Sequence, residues 1–244
     1  MTLLSPKQQE IRDREQRILQ LSRRIVLSGG WQTLSLESLA AELNVSRGTI
    51  YNHFPCREEI MLALLAETLD RRRSMLQQAA AWRGSPRLRL VAMTVAAEVF
   101  ARTCPEHFHV QRLVQSASME SRTTPERQAA VRNGQLHCLG MMTGIVRDAL
   151  AQDHLSLPQN LTPEDLIFGL TCLSDGAAAA IITTSTAVES GIRAPWSAVR
   201  FAIQHLLDGY SWTPLADQFD YHAAVETIRT ELFGSELRRM KQAW

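Results

Sequence analysis

Cysteine pairs, long apolar runs and strand patterning are all scarce in this sequence. Only four cysteines occur in 244 residues. Cys56, Cys104, Cys138 and Cys172 are scattered, with no CxxC pair and no zinc-type spacing. Neither a disulfide framework nor a metal site is expected, and no cofactor is called for. No uninterrupted apolar run approaches the roughly 18–20 residues that span a bilayer. The N-terminal MTLLSPKQQEIRDREQ lacks the apolar core of a secretion signal. The expectation is a cytoplasmic protein with no membrane partner. Alternating apolar and polar residues are not found, nor are Asn-Gly or Asp-Gly turns between β-branched runs, which argues against a β fold. No GxSxG, P-loop, GxGxxG or HExxH string occurs, so no catalytic residue is nominated and an enzyme is not expected. Charge of one sign is lacking too. Lys and Arg number 26 against 25 Asp and Glu, a net charge of +1.

What is present is a globular composition, 45 % hydrophobic and 21 % charged. The small charge excess is uneven. Residues 1–57 carry eight cations against five carboxylates, whereas the remainder is slightly acidic. A basic head on an acidic body suits a polyanionic partner without requiring one.

The periodicity is helical nearly throughout. Ser5-Pro6, Ser85-Pro86, Thr124-Pro125 and Thr162-Pro163 each set a capping hydroxyl before a proline suited to the first helical position. The pattern predicts helices over 6–28, 36–43, 47–53, 57–81, 86–103, 105–120, 125–152, 163–188, 195–211 and 220–242. The fold class expected is all-α, with a helix-turn-helix head at 1–60, helix 57–81 as connector and a larger domain at 82–244. Trp82–Ser85 is the expected junction.

The informative stretch runs from Ser35 to Arg57. Ser35 suits an N-cap, and Asn44 tolerates the left-handed conformation that ends a short helix. Ser46 suits the cap of a second helix, Arg47 to His53. Leu39, Leu43, Val45 and Ile50 fall inward, Ala40 is small where helices cross, and Phe54 closes against Ile18, Leu21 and Ile25. That leaves Arg47, Thr49, Tyr51, Asn52 and His53 on a polar face poor in carboxylates, as a phosphate-lined groove requires. The same pattern also suits any surface helical hairpin. Tyr51 can pack beside Ile50 instead, and His53 can simply cap its own helix.

The string Arg-Gly-Thr-Ile-Tyr-Asn-His-Phe, followed by Arg57-Glu58-Glu59-Ile60, resembles the N-terminal signature of TetR-type transcriptional regulators. The similarity extends from Ile18 through Gly29-Gly30 to about Leu65. Asn44, Leu39 and Arg57 depart from the usual Gly, Ile and Lys. The resemblance implies a double-stranded DNA operator as partner, bound through Ser35, Ser46, Arg47, Gly48, Thr49, Tyr51, Asn52, His53 and Arg57. Arg47 and Asn52 would read base edges, Thr49, Tyr51, His53 and Arg57 would meet phosphates, and Gly48 would permit close approach.

It also implies a ligand-sensing, dimerising body. Helices 86–103, 105–120 and 125–152 would surround a pocket for a small, aromatic or lipophilic effector, with Phe100, His107, Phe108, Arg112, His137 and Met141 as candidate contacts. Leu170, Leu173, Ala177 and Ile181, with Val199, Ile203 and Leu206, would form a four-helix homodimer interface. The competing reading is an all-helical carrier or protein-interaction module that binds no specific DNA.

Overall fold

A computed structural model of the chain describes residues 5–116, 119, 122–183 and 189–242. Among these residues the secondary structure is helical, without strands. The helices are α1 (Pro6–Gly29), α2 (Leu36–Glu42), α3 (Arg47–His53), α4 (Arg57–Ala80), α5 (Pro86–Thr103), α6 (Pro105–Ser116), α7 (Pro125–Ala151), α8 (Pro163–Thr183), α9 (Pro195–Gly209) and α10 (Tyr221–Gln242), with a 3-10 turn at Trp31–Thr33. The expected continuations over 117, 118 and 120 and over 184–188 lie outside the described residues.

Helix starts follow the sequence signals. Ser5 makes a reciprocal capping box with Gln8, Ser85 caps α5 through the Leu88 amide, and Thr162 exchanges bonds with Asp165. Gly30, at φ +80°, ends α1 in a conformation that other residues adopt only with strain.

The chain divides into two compact units. The first comprises Met1–Asp70 with Glu106–Gly134, and the second Arg71–Pro105 with Gln135–Trp244. By packing, residues 106–134 therefore group with the N-terminal helices rather than with the rest of the expected 82–244 segment.

In the first unit, Ile18, Leu21 and Val26 of α1, Leu39 of α2, Ile50 of α3, Phe54 and Ile60–Leu65 of α4 share one apolar cluster with Val110 and Val131. Two buried carboxylates at the start of α4 fasten α7. Glu59 accepts the Thr124 amide and, at 3.3 Å, the Arg127 guanidinium. Arg127 also lies 5.8 Å from the Phe54 ring. Glu58 takes Arg122 at 3.3 Å. Burial by itself would raise the Glu58 carboxyl, but backbone N–H donation, Arg57, the Cys56 thiol and Arg122 hold it below the usual carboxylate range.

In the second unit, α10 and α8 pack on α5, and α9 packs on α8. The fully buried Arg87 organises this region. Its guanidinium bonds the Trp212 carbonyl, Gln204 Oε1 at 3.0 Å and Asp208 at 2.7 Å, and stands 4.8 Å from the Tyr221 ring. The Arg71–Arg73 run of α4 is not simply a solvated helical face. Arg72 is largely buried and pairs with Asp175 at 3.0 Å, and Arg71 Nε points to Cys104 Sγ at 2.9 Å.

Candidate DNA-binding surface

Helices α2 and α3 are joined by a tight turn that the sequence encodes locally. Asn44 sits at φ +53°, and the Val45 amide bonds back to the Ala40 carbonyl at 3.0 Å. Ser46 then caps α3, its Oγ accepting the Thr49 amide at 3.1 Å and sharing a hydrogen with Thr49 Oγ1 at 2.8 Å. Ser35 caps α2 in the same way through the Ser38 amide at 3.0 Å. Ile50 and Phe54 are wholly buried, which fixes the rotation of α3 and turns its other side outward.

Arg47, Gly48, Tyr51 and Asn52 are exposed, and Thr49 and His53 are half-buried. Seven of the nine nominated positions lie on α3 or at its N-cap, Ser35 caps α2 and Arg57 opens α4. At Gly48 an added Cβ would meet only Ser46 Oγ, at 3.8 Å.

Two arrangements were not legible in the sequence. Tyr51 is not core. It is 45 % exposed and donates its hydroxyl to Glu37 Oε1 at 3.0 Å. The Glu37 backbone N–H and this hydroxyl hold the Glu37 carboxyl below its usual range, and the bond raises the Tyr51 phenol in turn. Arg57 is held from below. Its guanidinium lies 4.5 Å from the Trp31 ring centroid and donates to the Gln32 carbonyl at 3.2 Å. The 3-10 turn at Trp31–Thr33 is therefore a platform for a cation assigned to the phosphate backbone.

The six effector candidates are divided between the two units. His107, Phe108 and Arg112 belong to the first unit, Phe100, His137 and Met141 to the second. Phe100 and Phe108 are core residues, and buried His107 bonds Thr68 Oγ1 through Nδ1 at 3.0 Å. Arg112 and His137 are exposed, Met141 is half-buried, and none of the six lines the α9–α10 cavity described below.

The interface nominees are divided as well. Leu170 and Ile203 face inward, at 5 % and 1 % exposure, because α8 and α9 are apolar on more than one side. Leu173 and Leu206 are exposed, and Ala177, Ile181 and Val199 are half-buried. The most exposed apolar side chains of the two helices are instead Phe168 (70 % exposed) and Phe201 (66 %). Residues 163–182 of α8 also reach membrane-spanning length, with mean hydropathy 1.6. Counting uninterrupted apolar runs misses this, because Asp175, paired with Arg72, breaks the run.

A compact three-helix head with an exposed, capped second helix after a tight turn defines a helix-turn-helix protein. Comparison with known proteins narrows the class. Residues 18–64 match the sequence model of the bacterial regulatory proteins of the tetR family. The HTH-type transcriptional repressor KstR of Mycolicibacterium smegmatis is 29 % identical over 79 residues, 32 % of this chain and 39 % of the relative. The chain thus spans about two-fifths of that curated relative.

Among solved structures, a TetR-family regulator of Shewanella sp. PV-4 superposes with TM-score 0.60 at 19 % identity, over 78 % of this chain and 94 % of that one. Salmonella enterica GusR does so with TM-score 0.59 at 19 %, over 80 % and 95 %. FadR of Bacillus subtilis, solved with stearoyl-CoA, gives 0.56 at 16 %, over 79 % and 96 %. At such identities the likeness is one of fold. Residues 18–64 thus resemble the N-terminal segment of the tetR family, here set on an all-helical body.

Proposed function

We propose that the protein is a ligand-responsive transcriptional regulator, a homodimeric repressor that leaves a near-palindromic operator when a small lipophilic effector binds. The observation that carries this reading is the outward face of α3. Arg47, Gly48 and Asn52 are exposed on a helix whose opposite side is locked into the core by Ile50 and Phe54. Arg47 supplies a forked donor for guanine and Asn52 a bidentate amide for adenine, while Thr49 and Arg57 approach the backbone.

Dimerisation supports the same reading. Phe168 and Leu173 on α8, with Phe201 and Leu206 on α9, leave an apolar face that a second copy would cover. The pair would present two α3 helices about 34–36 Å apart, one turn of duplex. Such doubling compensates for the small positive charge of each head. An effector would act by changing that separation, since only one spacing fits two successive grooves.

Fluorescence anisotropy against DNA flanking the protein's own coding region, with salt varied, tests the proposal. Arg47→Ala should relax sequence preference, and Arg57→Ala should weaken binding to every sequence and flatten the salt dependence by about one counterion per lost contact. A protein indifferent to all fragments at low salt would instead be a helical carrier or interaction module.

A further inference from the structure

Between α9 and the start of α10 the second unit holds a cavity of about 400 Å³, within the usual range for small-molecule sites. Its walls are of two kinds. Phe201, Phe219, Tyr221 and Val225 supply apolar and aromatic surface, and the Phe219 and Tyr221 rings lie 5.0 Å apart. Hydrogen-bonding groups converge from Arg200, Gln204 and His205 on α9 and from His222 in the first turn of α10.

The state of these polar groups selects the ligand. Gln204 is buried, and its Oε1 is tied to Arg87, which fixes the amide plane. Its Nε2 has no acceptor among the described residues, so a positioned donor is left for something else. His205 bonds the Phe201 carbonyl through Nδ1 at 3.0 Å and stacks on the Phe201 ring at 3.9 Å, which leaves Nε2 at the far edge of the ring. Arg200 pairs with the buried Glu98, which Arg102 also meets at 3.0 Å, so two guanidiniums share one carboxylate and a positive charge is left over. The single carboxylate in the lining, Asp220, caps α10 through the Ala223 amide at 2.9 Å and offsets that charge. The lining is therefore aromatic on one side, with the unused Gln204 donor and the Arg200 guanidinium on the other.

We infer that this α9–α10 cavity is a binding site for an aryl monocarboxylate, its ring held among Phe201, Phe219 and Tyr221 and its carboxylate directed to Gln204 Nε2, Arg200 and His222. A carboxylate accepts all of these donors at once, whereas an alcohol or an amine leaves at least one unmatched. Phe201 also belongs to the apolar face proposed for dimerisation, so the site lies at the rim of that face. A role as effector site rests on the regulator reading; binding itself does not.

Isothermal titration of the full-length protein with 3-phenylpropionate, 3-phenylpropanol and 3-phenylpropylamine tests the inference. The carboxylate should bind at least tenfold more tightly than the alcohol, and the amine more weakly still. His222→Glu puts a negative charge in the first turn of α10, where the helix accepts one without loss of fold, and should weaken phenylpropionate at least tenfold. Ala216→Trp, which fills the cavity, should abolish binding of all three, with circular dichroism checking that both variants remain helical. Equal affinity for the three probes, no binding of any, or binding untouched by both variants overturns the assignment. DNA titrations of the same samples separate the two failures, since DNA binding without probe binding removes only the ligand site.

Discussion

Tyr51 on α3 donates its hydroxyl to Glu37 on α2 at 3.0 Å, tying together the two helices of the helix-turn-helix on their exposed side. The phenol assigned to a phosphate is thus already engaged by a carboxylate, which itself repels the duplex backbone. Binding DNA through Tyr51 requires that this bond be broken or shared.

Glu37→Gln should therefore strengthen binding to all duplex sequences, by removing a like charge and releasing the phenol. Tyr51→Phe should weaken it with little change in melting temperature, because both groups are at the surface. Anisotropy titrations at two salt concentrations check both. Reduced affinity in Glu37→Gln would mean that the carboxylate orients Tyr51 productively.

Glu59 joins the first turn of α4 to the N-terminus of α7, so its loss should leave the Thr124 amide unsatisfied and Arg127 with only the longer pairing to Glu15 at 3.8 Å. Glu59→Ala is expected to destabilise the protein by on the order of 3 kcal/mol. Urea unfolding of Glu59→Ala, Arg127→Ala and the double variant measures the coupling, and additive effects would show that the two residues act independently.

Burial pushes the Tyr221 phenol up to about 12, with Arg87 opposing and Asp208 reinforcing the shift. The folded chain thus keeps a proton that an unfolded tyrosine releases near pH 10. This contribution to stability is complete below that pH and is lost as the pH rises through about 12. Between pH 9 and pH 12 the wild type should lose more stability than Tyr221→Phe, in which this titration is missing. Parallel urea-denaturation profiles would contradict the assignment.

Charging both exposed phenylalanines of α8 and α9, as Phe168→Glu with Phe201→Glu, should convert a dimer to a monomer in sedimentation velocity without loss of helical signal. The same double variant should weaken binding to a two-fold operator far more than to a half-site. A wild-type protein that sediments as a monomer at micromolar concentration would remove the dimer from the account.

Local signals were easily read. The span Pro86–Thr103 of α5 lies between a Ser-Pro start and a Cys-Pro stop, and α3 lies between the Ser46 cap and buried Phe54, so both match their expected limits. Asn44 takes the positive φ that its place in the turn requires. What escaped the sequence was long-range or two-sided. Glu59 and Arg127 are joined only by folding, as are Glu37 and Tyr51. Helix α8 is apolar around most of its circumference, so periodicity could not say whether Leu170 or Phe168 faces outward. The tie between the last helix and α9 was equally hidden, because it runs through the buried Arg87, whose charge alone argues for the surface.

Nothing inside the molecule requires glycine at position 48, where a methyl group on an ordinary helix would meet only Ser46 Oγ, at an ordinary contact distance of 3.8 Å. Alanine there should make the free protein more stable, by about 1 kcal/mol. Any penalty that Gly48→Ala imposes on complex formation must then originate across the gap to the partner, so this one position can serve as a feeler gauge for how closely the helix and the nucleic acid meet.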